Sequence, residues 1–465
     1  MFSEVLSPVD EIAQRWQQGQ LVEVTITDLI DGGDGVGRYA QRAVFVPDTV
    51  TGDRALVRLM RVKKQYALGQ VVNLLQPSPH RIRPNCIVAD RCGGCQWQHV
   101  DYDYQQVAKR QLVVDALTRI GGFEAPPVQS LLPQESPLGY RNKATYPLGR
   151  SGTGQVKAGY YRKGSHRLVN LNRCPVQDEQ LDPMLAELKQ DIQDRGWSIY
   201  DEEKHQGKLR HLSLRIGRRT GQVLLTLVST QRELLGLEAQ AQVWHDRYPD
   251  LMGVCINENP EKTNAIFGPR THCISGQPYL EEVFGGLCFQ IRPETFFQVH
   301  TEQAEALLRV ISQRLQLQGD ELLLDAYSGV GTLSLPLAQK VGRVIAIEAQ
   351  AQAVEQARHN ALANGITNVE FHSGTVETVL PALADLPDVV LLDPPRKGCD
   401  RRVINSLLAQ RPRQIVYMSC KMATLARDLK LLCEGEQYRL TLVQPADFFP
   451  QTSHVEAAAF LERVE

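Results

Sequence analysis

The 465-residue chain lacks any apolar run approaching the ~18 residues of a membrane-spanning helix, so no helical span is expected. Its first residues, MFSEVLSPVDEIAQRW, lack a basic segment followed by an apolar one, so no secretory signal is expected and a cytoplasmic setting is. Net charge is nearly absent: Lys plus Arg number 51, Asp plus Glu 53, and the formal net charge is -2. A nucleic-acid surface would therefore have to be a local patch. Internal repeats and low-complexity tracts are also missing. What is left is an ordinary globular composition, 43% hydrophobic and 22% charged, in a chain long enough for two to three domains. No feature calls for an obligate protein partner.

Cysteine is not scarce: there are ten. In a reducing cytosol they are not expected to form disulfides. Cys255, Cys273, Cys288, Cys399 and Cys433 show no partner spacing and read as small buried hydrophobes. Cys86, Cys92 and Cys95 are different, spaced C-x5-C-x2-C in CIVADRCGGCQWQH, and Cys174 in LVNLNRCPVQ is a fourth candidate. Four thiolates suit tetrahedral zinc or an iron–sulfur cluster. A zinc ribbon more often has two CxxC knuckles, and only one is present. Radical-SAM enzymes space their three cysteines differently.

Punctuation divides the chain into three. Residues 14–78 alternate as short strands broken by Gly and Asp turns, which predicts a small OB-like β-barrel. Arg58, Arg61, Lys63, Lys64 and Tyr66 put positive charge and an aromatic on it, a combination suited to an RNA strand. Residues 79–288 mix α and β. They include a helix over 101–120 that stops at Gly121-Gly122, and a hairpin around Arg219 and Gly221. Basic residues recur there: Arg141, Lys143, Arg150, Lys157, Arg162, Lys163 and Arg167. Residues 289–465 alternate apolar strands with helices, which predicts a doubly wound, Rossmann-like parallel sheet.

In that last part, LLLDAYSGVGTL joins a buried strand to a helix through a glycine-rich turn, and Glu348 ends the next strand. The turn lets backbone approach a nucleotide, and an acidic strand end can accept from ribose hydroxyls. NAD proteins carry a third glycine where this chain has Ser334. Together with Asp393-Pro394-Pro395, the pattern fits S-adenosylmethionine better. Amino-group methyltransferases often have an aromatic after the two prolines; here Arg396 follows, which points to a different target atom.

Cys420 ends the apolar strand VYMSC just before a helix start. There it is either a buried structural cysteine or a thiol whose ionised form is favoured by the positive helix end. Uracil C5 gives the second possibility a purpose. A thiolate adding to C6 makes C5 nucleophilic, and a base must later remove the C5 proton. His454 and Glu456 lie close together near the end of the chain, although a surface carboxylate is the plainer reading of Glu456.

At these residues the chain resembles the S-adenosylmethionine-dependent RNA (uracil-5-)-methyltransferases. It is closest to the ribosomal members with an N-terminal TRAM barrel and a [4Fe-4S] cluster. The resemblance is carried by FFQVH (296–300), DAYSGVGTLSLPLA (325–338), VIAIE (344–348), LLDPPRKG (391–398), SCKMATLARDL (419–429) and HVEAAAFL (454–461). It implies that Cys420 is the nucleophile and Glu456 the base. It also implies that Gln298, Tyr327, Thr332, Glu348, Asp393 and a loop residue taken as Ser373 bind S-adenosylmethionine. The cluster is implied to sit on Cys86, Cys92, Cys95 and Cys174, tying the loop before helix 101–120 to the central part; in the family that helix packs near the catalytic domain. The implied substrate is 23S rRNA, because tRNA members generally lack the barrel and the cluster. Departures are His300 where Asn is frequent, Ser328 where Cys is frequent, and Lys421-Met422 for Asn-Pro. None removes a reacting group.

Overall fold

The computed structural model describes residues 16–464. They form two compact units. The first holds the described residues up to Ala89, with Gly94–Leu112 and Phe449–His454; the second holds Asp90–Gly93, Val113–Phe448 and the chain from Val455 on.

The first unit is built on strands β1 (Leu21–Leu29), β2 (Gly35–Tyr39), β3 (Arg42–Val46), β4 (Arg54–Val62) and β5 (Tyr66–Gln76). They close into a barrel in the order β1-β2-β3-β5-β4. The alternation seen in the sequence is the reason: Val22, Val24, Ile26, Val44, Val57 and Leu59 all face one core. The opposite faces of β4 and β5 leave Arg58, Met60, Arg61 and Tyr66 exposed, with Lys63 and Lys64 in the turn between them.

Helix α1 (Tyr102–Arg119) follows; its Val113 and Leu117 are packed in the main core of the second unit. A seven-stranded central sheet comprises β6 (Lys143–Arg150), β7 (Val156–Tyr161), β8 (Leu168–Asn170), β9 (Leu209–Ile216), β10 (Val223–Ser229), β11 (Leu251–Glu258) and β12 (Arg270–Gly276). Its order is β12-β11-β10-β9-β6-β7-β8. The hairpin expected around Arg219 and Gly221 joins β9 to β10, with Ile216 opposite Val223. Helices α2 (Leu181–Asp194) and α3 (Leu237–Arg247) belong to this part. A separate hairpin, β13 (Leu280–Phe284) and β14 (Leu287–Ile291), leads to α4 (Thr301–Leu315).

The second seven-stranded sheet contains β15 (Leu322–Ala326), β16 (Arg343–Glu348), β17 (Val369–Ser373), β18 (Val389–Leu392), β19 (Gln414–Ser419), β20 (Tyr438–Ala446) and β21 (Glu456–Arg463). Its order is β17-β16-β15-β18-β19-β21-β20. The first five strands are parallel, and β21 runs antiparallel between β19 and β20. Strand β18 reads VVLL, buried throughout, as a strand covered on both faces should. The covering helices are α5 (Ser334–Ala338), α6 (Ala351–Ala363), α7 (Val376–Val379), α8 (Arg401–Gln410) and α9 (Met422–Cys433). No described helix is long and apolar enough to cross a membrane.

Candidate active site

Strand order reverses at β15, whose neighbours are β16 and β18. In an open parallel sheet the crevice beyond the carboxyl ends at such a point is where ligands bind. Five of the sequence-nominated residues lie at this edge. Tyr327 follows β15, Glu348 ends β16, and Ser373 ends β17 in register with Glu348. Asp393 follows β18, and Cys420 follows β19. Thr332 lies in the turn into α5, and Gln298 in the segment before α4.

The turn after β15 is tight. Tyr327 has φ +79, a left-handed conformation costly for a residue with a Cβ. Its N–H and that of Ser328 both donate to the Ile347 carbonyl, at 3.0 and 2.9 Å. Gly329 has φ +56, and a Cβ there would meet no atom within 4 Å, so the turn faces open space. The Glu348 carboxylate accepts from the N–H of Gly329 at 3.0 Å and of Gln350 at 2.8 Å. Beneath them Asp325 is 1% exposed. One of its oxygens accepts from the Ser334 hydroxyl, while Oδ1 is buried with no partner, as is the Ser328 hydroxyl. Burial pushes the Asp325 carboxyl up to about 7, with Asp393 and Glu348 adding to the effect against the Ser334 hydrogen bond. Unpartnered buried oxygens beside an open glycine turn are what a bound polar ligand would satisfy.

A second group forms where β19 meets β21. These strands pair antiparallel, Met418 with Ala458 and Ser419 with Ala457. Continuing that register by one residue sets Cys420 opposite Glu456. Glu456 is 5% exposed. Burial, helped by the Asp393 charge, holds its carboxyl well above the usual carboxylate range. Burial also pushes Asp393 up to about 6. Glu456 is thus not the surface carboxylate that its stretch of sequence suggested. The Cys420 thiol is pushed up, first by burial and then by Glu456, and the nearby Arg396 guanidinium opposes this. Desolvation and a carboxylate neighbour thus act against the thiolate that the α9 N-terminus would favour.

The loop carrying Asp393 and Arg396 is held by α9 and β19. The Cys399 N–H donates to Asp428 Oδ2 at 2.9 Å, and the Tyr417 hydroxyl donates to the same oxygen at 2.6 Å. Thr424 Oγ1 donates to the Arg396 carbonyl, and Arg427 to the Lys397 carbonyl. Arg396 is the residue whose contact the sequence reading missed. Its signal was its place directly after the two prolines, read only as a missing aromatic. His300 caps α4, with Nδ1 3.4 Å from the Gln303 N–H, and its ring stacks on Tyr140 at 4.8 Å.

The cysteines divide. Cys86 and Cys95 belong to the first unit, Cys92 and Cys174 to the second. Among the described residues no group of three or more His, Cys, Asp or Glu side chains is arranged to hold a metal ion. Of the cysteines read as buried hydrophobes, Cys255 and Cys399 are buried and Cys288 and Cys433 half-buried. Cys273 is exposed, a correction: it lies on β12 at the edge of the central sheet, where only one neighbour covers it.

The switch-point crevice, the glycine turn and the strand order define a methyltransferase fold. Comparison with known proteins makes this specific. Residues 282–464 match the family described as tRNA (Uracil-5-)-methyltransferase, and residues 15–72 match the TRAM domain. An "Uncharacterized RNA methyltransferase" of Nostoc sp. is 66% identical over 96% of this chain and 97% of its own. Another, of Synechocystis sp., is 59% identical over 97% of both chains. A crystal structure of Pyrococcus abyssi tRNA (uracil-54, C5)-methyltransferase, in complex with S-adenosyl-L-homocysteine, superposes with a TM-score of 0.76. That enzyme is 29% identical, and the match spans 95% of this chain and 100% of that one. The chain belongs to the RNA (uracil-5-)-methyltransferase family and carries a TRAM domain.

Proposed function

We propose that this enzyme methylates C5 of one specific uridine in folded RNA, with 23S rRNA the leading substrate and the cytoplasm its setting. Segment 14–78 would grip RNA, 79–288 would carry the central contacts, and 289–465 would do the chemistry. The target base would be flipped out of its stack to reach Cys420. Gln298, Tyr327, Thr332, Glu348, Ser373 and Asp393 would hold S-adenosylmethionine. The unpartnered Asp325 Oδ1 and the open turn at Gly329 fit a polar ligand there. When bound, that molecule supplies an electrophilic methyl group.

The Cys420 thiolate would add to C6 of uracil, and the electron pair would move to C5, which would take the methyl group as the bond from that methyl to the sulfonium sulfur breaks and S-adenosyl-L-homocysteine leaves. Glu456 then removes the C5 proton, and the thiolate leaves C6, restoring the ring. The positive charge of Arg396 would favour the thiolate. The observation that carries this reading is the β19–β21 register, which brings the nominated nucleophile and base to facing positions. The test is methyl transfer from labelled S-adenosylmethionine to rRNA and tRNA supplied separately. Wild-type protein should form 5-methyluridine in rRNA, and Cys420→Ala should form none; unchanged incorporation by the variant overturns the assignment.

A second reading, tRNA as substrate, is favoured by the Pyrococcus abyssi neighbour. It matches over 95% of this chain, a span that leaves little room to lack the barrel, so the barrel is weak grounds for excluding tRNA. Mapping 5-methyluridine in both RNAs separates the two. The [4Fe-4S] cluster on Cys86, Cys92, Cys95 and Cys174 rests on their spacing and the family resemblance. Iron and acid-labile sulfide content after anaerobic purification tests it: neither element, or zinc alone, removes it.

A further inference from the structure

A cavity of about 680 Å³ lies on the central sheet, walled by β6, β7 and β9 and by residues 263–267. That volume is in the range of small-molecule sites. None of the residues nominated for catalysis or S-adenosylmethionine lines it. Its chemistry is cationic and aromatic: Arg141, Lys143 and Arg210 on one hand, Tyr161, His166 and Phe267 on the other, with Glu202 the one acidic residue among those lining it.

Arg210 is built in rather than trailing from the surface. It is 5% exposed. Its terminal nitrogens donate to the carbonyls of Asn259 at 2.8 Å, Glu261 at 2.7 Å and Thr263 at 3.2 Å, and its Nε is buried with no partner. A guanidinium fixed by carbonyls keeps its charge for an arriving anion. Lys143 donates to the Pro293 carbonyl at 3.0 Å and sits 4.7 Å from the centre of the Phe267 ring. Burial, with the Arg215 charge next in effect, pushes its ammonium well down, and a bound phosphate would reverse that. The buried Nδ1 of His211 has no partner either, and burial holds that ring at about 4, hence neutral near pH 7. A neutral imidazole can donate to or accept from a base edge.

We infer that this cavity receives an unpaired nucleotide of the substrate RNA other than the one methylated. Its base lies against Tyr161 and His166, and its phosphate faces Arg210 and Lys143. The inference rests on the RNA reading above and adds a second recognition point to it. Recognition here would reach the reaction through Asn142 on the way into β6. Its backbone N–H donates to the Val299 carbonyl at 3.0 Å, and its side chain to the Gln298 carbonyl at 2.9 Å. Val299 lines the cavity, and Gln298 is a nominated cofactor residue.

The experiment uses full-length protein and an rRNA fragment that wild type binds. RNA affinity, S-adenosylmethionine affinity and 5-methyluridine formation are measured for wild type, Tyr161→Ala, Tyr161→Phe and His166→Ala. His166 is exposed on a loop, so its variant tests the cavity without threatening the fold. Tyr161→Ala and His166→Ala should each weaken RNA binding roughly ten-fold, the scale of one lost base stack. Tyr161→Phe should bind like wild type, and S-adenosylmethionine affinity should not move. Equal RNA affinity in all four proteins overturns the inference. So does micromolar binding of free adenosine monophosphate that Tyr161→Ala abolishes without weakening RNA, since the cavity would then serve a free nucleotide. If wild type binds RNA through Tyr161 and yet forms no 5-methyluridine, the cavity stands and the methylation reading falls.

Discussion

Cys420 and Glu456 both hold their protons more firmly than isolated side chains do, because each is buried and each faces a negative neighbour. Both must lose a proton to act. Methylation should therefore rise with pH through neutrality into the alkaline range and fall as the medium is acidified. The Arg396 guanidinium pulls the thiol the other way, so Arg396→Ala should move this rise to higher pH. A pH–rate profile of single-turnover methylation reads both effects; an unshifted profile in the variant would mean that Arg396 does not assist the thiolate. Glu456→Gln separates the two steps. Addition to C6 survives, but proton removal from C5 does not, so an RNA–protein adduct resistant to denaturing gel electrophoresis should accumulate, and Cys420→Ala should form none. At this scale the sequence was legible where type and position suffice, as for Cys420 at the end of an apolar strand. Burial was not legible. It separates Glu456 from a surface carboxylate and Cys273 from a core thiol, and it is set by strands distant in the chain.

The elements that present these side chains are held by a small polar network. Tyr417 on β19 and the Cys399 N–H share Asp428 Oδ2 on α9, which pins the end of the DPPRKG loop. Gly398 makes this possible: its φ is +78, and an added Cβ would lie 2.5 Å from both Arg427 Nη2 and Asp428 Oδ2. Gly398→Ala should cost roughly 1 to 3 kcal/mol, from the left-handed backbone plus a displaced carboxylate hydrogen bond. It should lower the methylation rate more than the affinity for S-adenosylmethionine, because it disturbs the loop carrying Arg396. Thermal denaturation alongside kcat and KM checks this; wild-type stability in the variant would show that the network is slack. Alternation and apolar runs announced the barrel strands and β15, β16, β18 and β19. They could not announce that β21 inserts between β19 and β20, since non-local pairing leaves no local pattern. Yet that insertion is what sets Glu456 against Cys420.

On the scale of the whole molecule, a formal net charge of -2 gives no general attraction to RNA, so affinity must come from where the positive residues are placed. The charge total and the absence of long apolar runs were readable at once, and so were a barrel and a parallel sheet; the boundaries between three parts were not, and the described chain divides into two compact units. The cavity on the central sheet was not, because its walls come from segments as far apart as Arg141 and Phe267. The barrel offers the sharper test of localised charge. Arg61, Lys63 and Lys64 are exposed at one end of the β4–β5 hairpin, beside the exposed ring of Tyr66. Each phosphate they neutralise releases about 0.7 to 0.9 of a counterion. Replacing all three by alanine should lower the slope of log affinity against log salt by roughly 2 to 3. Because these side chains face away from the barrel core of Val44, Val57 and Leu59, the melting temperature should hold. Methylation at saturating RNA should hold too, since the chemistry belongs to other strands. Filter binding across a salt series reads the slope. An unchanged slope would mean that this face of the barrel does not touch the RNA backbone, and that the grip must be sought on the central sheet instead.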